Sequence, residues 1–204
     1  MARVASSYSV EVDVPLTGDV DLASILVDVP PYATLKGMFC ARYVAAIDEP
    51  WDEIAEELDA PPKGGKYTAF DDYPLSDYLR LMDRAARNRF PRQATREAYR
   101  LLGRGVVDVF AESTLGKVTF SLIRDPAQAL ARYPDVTNVL TRGAVKGEAI
   151  RGERQVSLRF PRFVGAVEGT LGCFEALVLM FDAKPRVDVA LEPDGAARFD
   201  VRWA

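Results

Sequence analysis

"FVGAVEGTLGCFEALVLMFD", residues 163–182, decides how this chain folds. It is the most apolar stretch of the sequence, yet it carries Gly165, Gly169, Gly172 and the charged Glu168. Phe163, Val164, Val167, Leu171 and Phe174 recur at helical spacing, and the glycines leave the other side without bulk. The pattern predicts a helix starting near Pro161 whose glycine face lies close against another backbone. Periodicity leaves Ala176 to Phe181 open between helix and strand.

Downstream, "RVDVALEPDGAARFDVRW" reads as two alternating strands joined by the turn Pro193-Asp194-Gly195. Upstream, the alternation around "RGE" predicts a hairpin from Val145 to Phe160. From Thr34 up to this hairpin the elements are helices in pattern. Thr34 is read as the N-cap of a helix carrying Leu35, Met38, Phe39, Tyr43 and Ile47, and Pro50 opens a short helix with Trp51, Ile54 and Leu58. "LSDYLRLMDRAARNRF" places Leu75, Tyr78, Leu79, Met82 and Ala86 on one stripe. A long helix from about Gln93 through "FAES" turns Leu102, Val106, Val109 and Phe110 inward. Gly103 and Gly105 inside it each cost about 1 kcal/mol against alanine, so a backbone contact, bend or hinge is expected there. Asp125 and Pro126 begin one more, shorter helix.

Helices first, then four antiparallel strands interrupted by one helix, make an α+β plan in which N-terminal helices pack on a small C-terminal sheet. "SVEVDV", residues 9–14, reads as a strand, and "DVDLASILVDV" as helix or extended chain ended by Pro30 and Pro31. Residues 1–33 are therefore expected to be an extension of a single domain spanning 34–204.

The chain has 204 residues, of which 49% are apolar and 27% charged, enough to bury a core without disulfides or metals. The 26 basic and 30 acidic side chains are spread along it and leave a net charge of −4, so a nucleic-acid partner is not expected. No segment offers the roughly 20 apolar residues of a membrane span, and the N-terminus lacks a signal-peptide run, which predicts a cytoplasmic protein. Cys40 and Cys173 are expected to be buried thiols. The count of zero histidines removes Ser-His-Asp and Cys-His catalysis, two-histidine zinc motifs and histidine-ligated haem.

Chemistry-bearing motifs fail one by one. Lys66 follows Gly65, but a phosphate loop needs glycine where Ala60 stands and Ser or Thr where Tyr67 stands; Gly116-Lys117 fails in the same way. No nucleophile elbow, dinucleotide fingerprint or Cys-x-x-Cys occurs. Carboxylates can catalyse without histidine, which singles out Asp71, Asp72 and Glu168. The first two are read as caps of the helix beginning near Pro74, and Glu168 as the partner of an arginine. No catalytic and no metal-ligating residue is assigned.

Read in order, "TLKGMFCARYV", "FDDYPLSDYLRLMDRAARNRF", "REAYRLLGR", "YPDV", "FPRFVGAVEGTLGCF" and "FDVRW" resemble a myxobacterial paralogous family of about this length and unknown function. More distantly they resemble the haem-NO-binding, V4R and TRAPP-like superfamily. The resemblance covers Thr34 to Trp203. It implies a sensor fold, often dimeric, with helices over a small antiparallel sheet and a cavity between the layers that in relatives holds haem, aromatic effectors or lipid-like groups. The haem-binding relatives carry a proximal histidine on the helix matching Ala127 to Tyr133, where this chain has none, and their tyrosine, serine and arginine set is not found in "VKGEAIRGER". Haem is thus excluded from the expected cofactors, and none other is implied.

The expected function is a non-enzymatic cytoplasmic regulatory or sensory module that binds a small apolar or amphipathic ligand, or a protein partner, and forms a homodimer. Tyr43, Tyr99, Arg104 and Glu168 are the candidate polar lining of its pocket. A dimerisation module without ligand, and a carboxylate-dependent enzyme, are the alternatives.

Overall fold

A computed structural model describes residues 5–143 and 147–204. In chain order the elements are β1 (Ser6–Glu11), α1 (Leu22–Val27), β2 (Thr34–Lys36), α2 (Gly37–Val44), α3 (Trp51–Ala55), β3 (Asp72–Pro74), α4 (Leu75–Arg89) and α5 (Thr95–Glu112). There follow α6 (Thr114–Ser121), α7 (Pro126–Leu140), β4 (Thr141–Arg142), β5 (Glu148–Arg151), β6 (Gln155–Phe160), α8 (Val167–Leu179), β7 (Pro185–Leu191) and β8 (Ala197–Trp203). The architecture is α+β with antiparallel sheets.

The main sheet has the order β1-β7-β8-β6-β5. Four of these strands are the ones legible in the C-terminal sequence; the fifth, β1, pairs along β7 from Ser6 opposite Leu191 to Glu11 opposite Arg186. The hairpin of β5 and β6 pairs Glu148 with Arg159 through Arg151 with Val156; its expected start at Val145 lies outside the described residues. Period-two alternation turns Val156, Leu158, Val187, Val189, Phe199 and Val201 to one face, where they are buried against Leu171, Phe174 and Val178 of α8 and Leu130 of α7. Each such side chain contributes about 1.5–3 kcal/mol by leaving water.

Helix α8 begins at Val167, later than the expected start at Pro161. Gly165 has φ 127°, outside helical space, and the Phe163 N–H donates to the Gly195 carbonyl at 2.8 Å, which ties residues 161–166 to the β7–β8 turn as a loop. The helix runs on to Leu179, so the open choice at Ala176 is resolved as helix. The glycine face does what its pattern implies: α8 crosses α5 backbone to backbone. A Cβ placed on Gly103 would overlap the Gly169 carbonyl oxygen and sit 2.7 Å from its carbon, and one on Gly172 would overlap the Arg100 carbonyl oxygen.

A second core lies beyond α5, where α2, α4 and the small sheet β3-β2-β4 meet. Here several local readings are corrected. Thr34 is not a helix cap: Thr34 to Lys36 pair with β3, Thr34 and Leu35 also with β4, and α2 starts only at Gly37. Asp72 is not a cap either. It lies in β3, where Lys36 Nζ at 2.8 Å and Arg142 Nε at 3.1 Å hold it, while α4 starts after Pro74 with no side-chain cap. The inward face of α5 carries Ala98, Tyr99, Gly103, Val107 and Phe110, and Leu102, Val106 and Val109 are only partly buried. Helix α6 was not anticipated; Ser113 starts it by accepting the Gly116 N–H at 3.0 Å. The Asp125 cap of α7 is present, accepting the Gln128 N–H at 2.7 Å, but the helix continues through Pro134 to Leu140.

Residues before Thr34 are stitched into the body by one buried arginine. Arg100 is fully buried and donates to both carboxylate oxygens of Glu175, to Glu97 Oε2, and to the backbone carbonyls of Glu11, Val12 and Val14. The Leu16 N–H in turn donates to Glu97 at 2.8 Å, and the Val20 N–H to Thr95 Oγ1 at 2.8 Å.

Candidate functional site

The two cores do not close on each other. Between them lies a cavity of about 210 Å³, walled by α4, α5, α7 and α8, with Phe160 of β6 and the 162–166 loop at one side. Its size follows from small side chains at the wall: Ala129 on α7, Gly165 and Ala166 in the loop, and Gly169 on α8. An apolar cavity of roughly 150 Å³ already holds benzene, so this one has room for one aromatic ring with a short substituent.

The lining is apolar and rich in aromatic edges. Phe39, Phe110, Phe120, Phe160 and Phe163 supply rings, and Tyr133 is wedged edge-on between Phe160 and Phe174 at centroid distances of 6.4 and 4.8 Å. Few polar atoms converge on it, which is the usual make-up of a small-molecule pocket. Tyr78 is one: its hydroxyl shares a 3.1 Å hydrogen bond with the hydroxyl of buried Tyr43. Thr170 stands beside Tyr133, and Cys173 donates its thiol hydrogen to the Gly103 carbonyl at 3.2 Å. Burial raises the phenols of Tyr43, Tyr78 and Tyr133 well above their ordinary value, and pushes the Cys173 thiol up to about 12.

The four residues proposed from sequence lie elsewhere. Tyr43 stops one hydroxyl short of the cavity, behind Tyr78. Tyr99 donates to Asp83 Oδ1 at 2.9 Å. Arg104 donates to Glu175 and to the Val12 carbonyl as part of the Arg100 cluster. Glu168 accepts from Arg96 Nε at 2.8 Å, the arginine pairing expected for it, with the Arg96 guanidinium over the Tyr8 ring. None of the four is among the described residues that line the cavity. Sequence inspection missed Tyr78, Tyr133 and Cys173 because each sits at an ordinary core position of its helix. The one usable signal was the small residues Gly165, Ala166 and Gly169 in a row of bulky neighbours.

This set of buried groups makes a pH prediction. With no imidazole present, stability is expected to be flat between about pH 6 and 8. Cys40 and Cys173 both have a folded pKa raised from 9.0 to about 12 by burial, so their contribution is intact below pH 9 and is lost as pH rises toward 12. Denaturant titrations should show stability falling above about pH 9 by about 1 kcal/mol per pH unit for each thiol. A slope that sets in below pH 8 would contradict the burial of these groups.

Solved structures of H-NOX proteins share the fold. The Fe(II) unliganded H-NOX protein of K. algicida is 15% identical over 83% of this chain and 97% of its own, with a TM-score of 0.61. That of S. oneidensis in the Fe(II)NO state is 12% identical over 83% and 99%, at 0.63, and a mutant H-NOX of T. tengcongensis is 18% identical over 83% and 96%, at 0.61. No protein of curated function matches the sequence.

Haem, which that fold brings to mind, does not fit the residues present. The chain has no histidine. Cys173, Tyr78 and Tyr133 at the cavity wall could ligate iron only as thiolate or phenolate, and burial favours the protonated form of all three. The cavity volume suits a single ring and not a macrocycle. Among the described residues there is also no group of three or more His, Cys, Asp or Glu placed to hold a metal ion. The fold is thus that of the H-NOX proteins. At the level of sequence, residues 30–204 match the profile of "Protein of unknown function (DUF2378)", and the chain belongs to that family.

Proposed function

We propose that this protein is a haem-free, non-enzymatic sensory module that takes one small, mostly apolar molecule into the cavity between its two cores. The observation that carries the reading is the cavity itself: about 210 Å³, walled by aromatic and aliphatic side chains, with a few hydroxyls positioned to orient a guest. Its walls come from both cores, so a guest would touch α4 and α5 on one side and α7 and α8 on the other. Occupancy would then favour one relative placement of these helices, which is what a sensor needs from its ligand. Of the H-NOX proteins that share the fold, one is solved in an Fe(II)NO ligation state and an oxygen-binding one as its oxygen complex. Here the ligand would be held by packing instead.

Thermal unfolding with benzyl alcohol, indole and hydrocinnamate tests this. A ligand at about a hundred times its Kd should add about 2.7 kcal/mol, a rise in Tm of roughly 5–10 °C. Val136→Phe, which puts a ring into the space lined by Val136, should abolish the shift while the protein stays folded. A module that works only by protein contacts predicts no shift with any of these probes, and a shift unchanged in Val136→Phe would place the guest elsewhere.

A further inference from the structure

Charge is distributed unevenly around the cavity. No aspartate or glutamate lines it among the described residues, and its charged lining consists of two arginines, Arg132 of α7 and Arg162 of the loop before α8. This contrasts with the carboxylate-paired arginines of α4 and α5. The net charge is −4, and Arg80, Arg84, Arg87, Arg96, Arg100 and Arg104 are all engaged by carboxylates. Among the described residues, neither Arg132 nor Arg162 makes an ion pair or hydrogen bond, and both are exposed.

Both arginines are nevertheless held at the wall by well-packed neighbours. Arg132 directly precedes Tyr133, whose ring is clamped between Phe160 and Phe174. Arg162 directly precedes Phe163, whose backbone N–H is anchored on Gly195 and whose ring packs on Phe160 and Phe199. The apolar interior and the two guanidinium groups belong to one continuous lining, with the arginines exposed to solvent.

We infer that the ligand is an amphipathic monocarboxylate: a single-ring or similarly small apolar body in the cavity, with its carboxylate outward against Arg132 and Arg162. A guanidinium presents a planar pair of donors that matches a carboxylate, and the bond is charge-assisted. The same arginines repel amines, and offer a neutral alcohol a hydrogen bond without an opposite charge to pair with. This rests on the cavity being a ligand site and adds the class of ligand.

The test compares hydrocinnamate, hydrocinnamyl alcohol and the corresponding amine by calorimetry on the wild-type protein and on Arg132→Gln/Arg162→Gln. Both side chains are exposed and make no ion pair among the described residues, so the double variant should fold as the wild type does. The acid is expected to bind about tenfold more tightly than the alcohol, with the amine weakest. The double variant should lose that preference while keeping the alcohol's affinity, and salt raised from about 0.01 M to about 1 M should weaken the acid alone. Equal binding of acid and alcohol, or an acid preference that survives in the double variant, overturns the carboxylate assignment and leaves the cavity reading standing. Binding of none of the three, together with no response to any probe of the cavity, overturns both.

Discussion

Gly103→Ala is expected to destabilise the protein by about 3 kcal/mol or more, whereas Gly105→Ala in the same helix is expected to stabilise it by about 0.5–1 kcal/mol. The two positions look alike in sequence, and what separates them is the neighbour. At Gly103 the added methyl group would overlap the carbonyl of Gly169, which belongs to the backbone of α8 and has no rotamer to move away. Helices α5 and α8 would have to separate, opening gaps in both cores that rest on them. At Gly105 the nearest atom is a terminal nitrogen of Arg42 at 3.6 Å, an ordinary contact, so alanine only reduces the freedom of the unfolded chain. Gly172→Ala, which meets the Arg100 carbonyl, should resemble Gly103→Ala. Denaturant unfolding of the three variants measures this directly. A cost below about 1 kcal/mol at Gly103 would mean that the helices are not in backbone contact.

Arg100→Met is expected to cost about 3–5 kcal/mol. The substitution removes every hydrogen bond that the guanidinium makes to Glu175, Glu97 and three carbonyls at the end of β1, and leaves the Glu175 carboxylate, 1% exposed, with only Arg104. Arg100→Lys should recover little, because one ammonium cannot span carboxylates on two elements and a turn of backbone at once. The effect should be strongest on the N-terminal strand, since the Glu11, Val12 and Val14 carbonyls would be left without this donor. Hydrogen exchange at Tyr8 and Val10 is therefore expected to accelerate beyond the global change. In a double-mutant cycle with Glu175→Gln the coupling should lie near the upper end of about 0.5–3 kcal/mol. Loss of only about 1 kcal/mol, typical of an exposed pair, would show that the cluster is not what holds β1 in place.

Local pattern carried the sheet and helices α4, α7 and α8 because their periodicities agree with their packing. Val187, Val189, Phe199 and Val201 alternate and are buried, and Asp125 both looks like a cap and is one. It misled where a residue's partner is distant. Thr34 and Asp72 have the chemistry of caps, but pairing of β2 with β3 and β4 drew them into a small sheet that no local signal announces. Arg104 and Glu168 looked like pocket groups because isolated charges in apolar helices demand explanation; their partners, Glu175 and Arg96, are too far along the chain to be seen in it.

The sequence alone settled the absence of imidazole chemistry, the α+β plan, and the presence of a glycine face on the last helix, since these depend on composition and on spacing within one element. Only the tertiary structure decided that this face meets α5, that β1 completes the main sheet, and that the space left between two cores has arginines for its charged rim. Those outcomes depend on contacts between residues about seventy or more positions apart. Such contacts leave no periodic trace, because each requires only a small or a charged residue at one point of each partner.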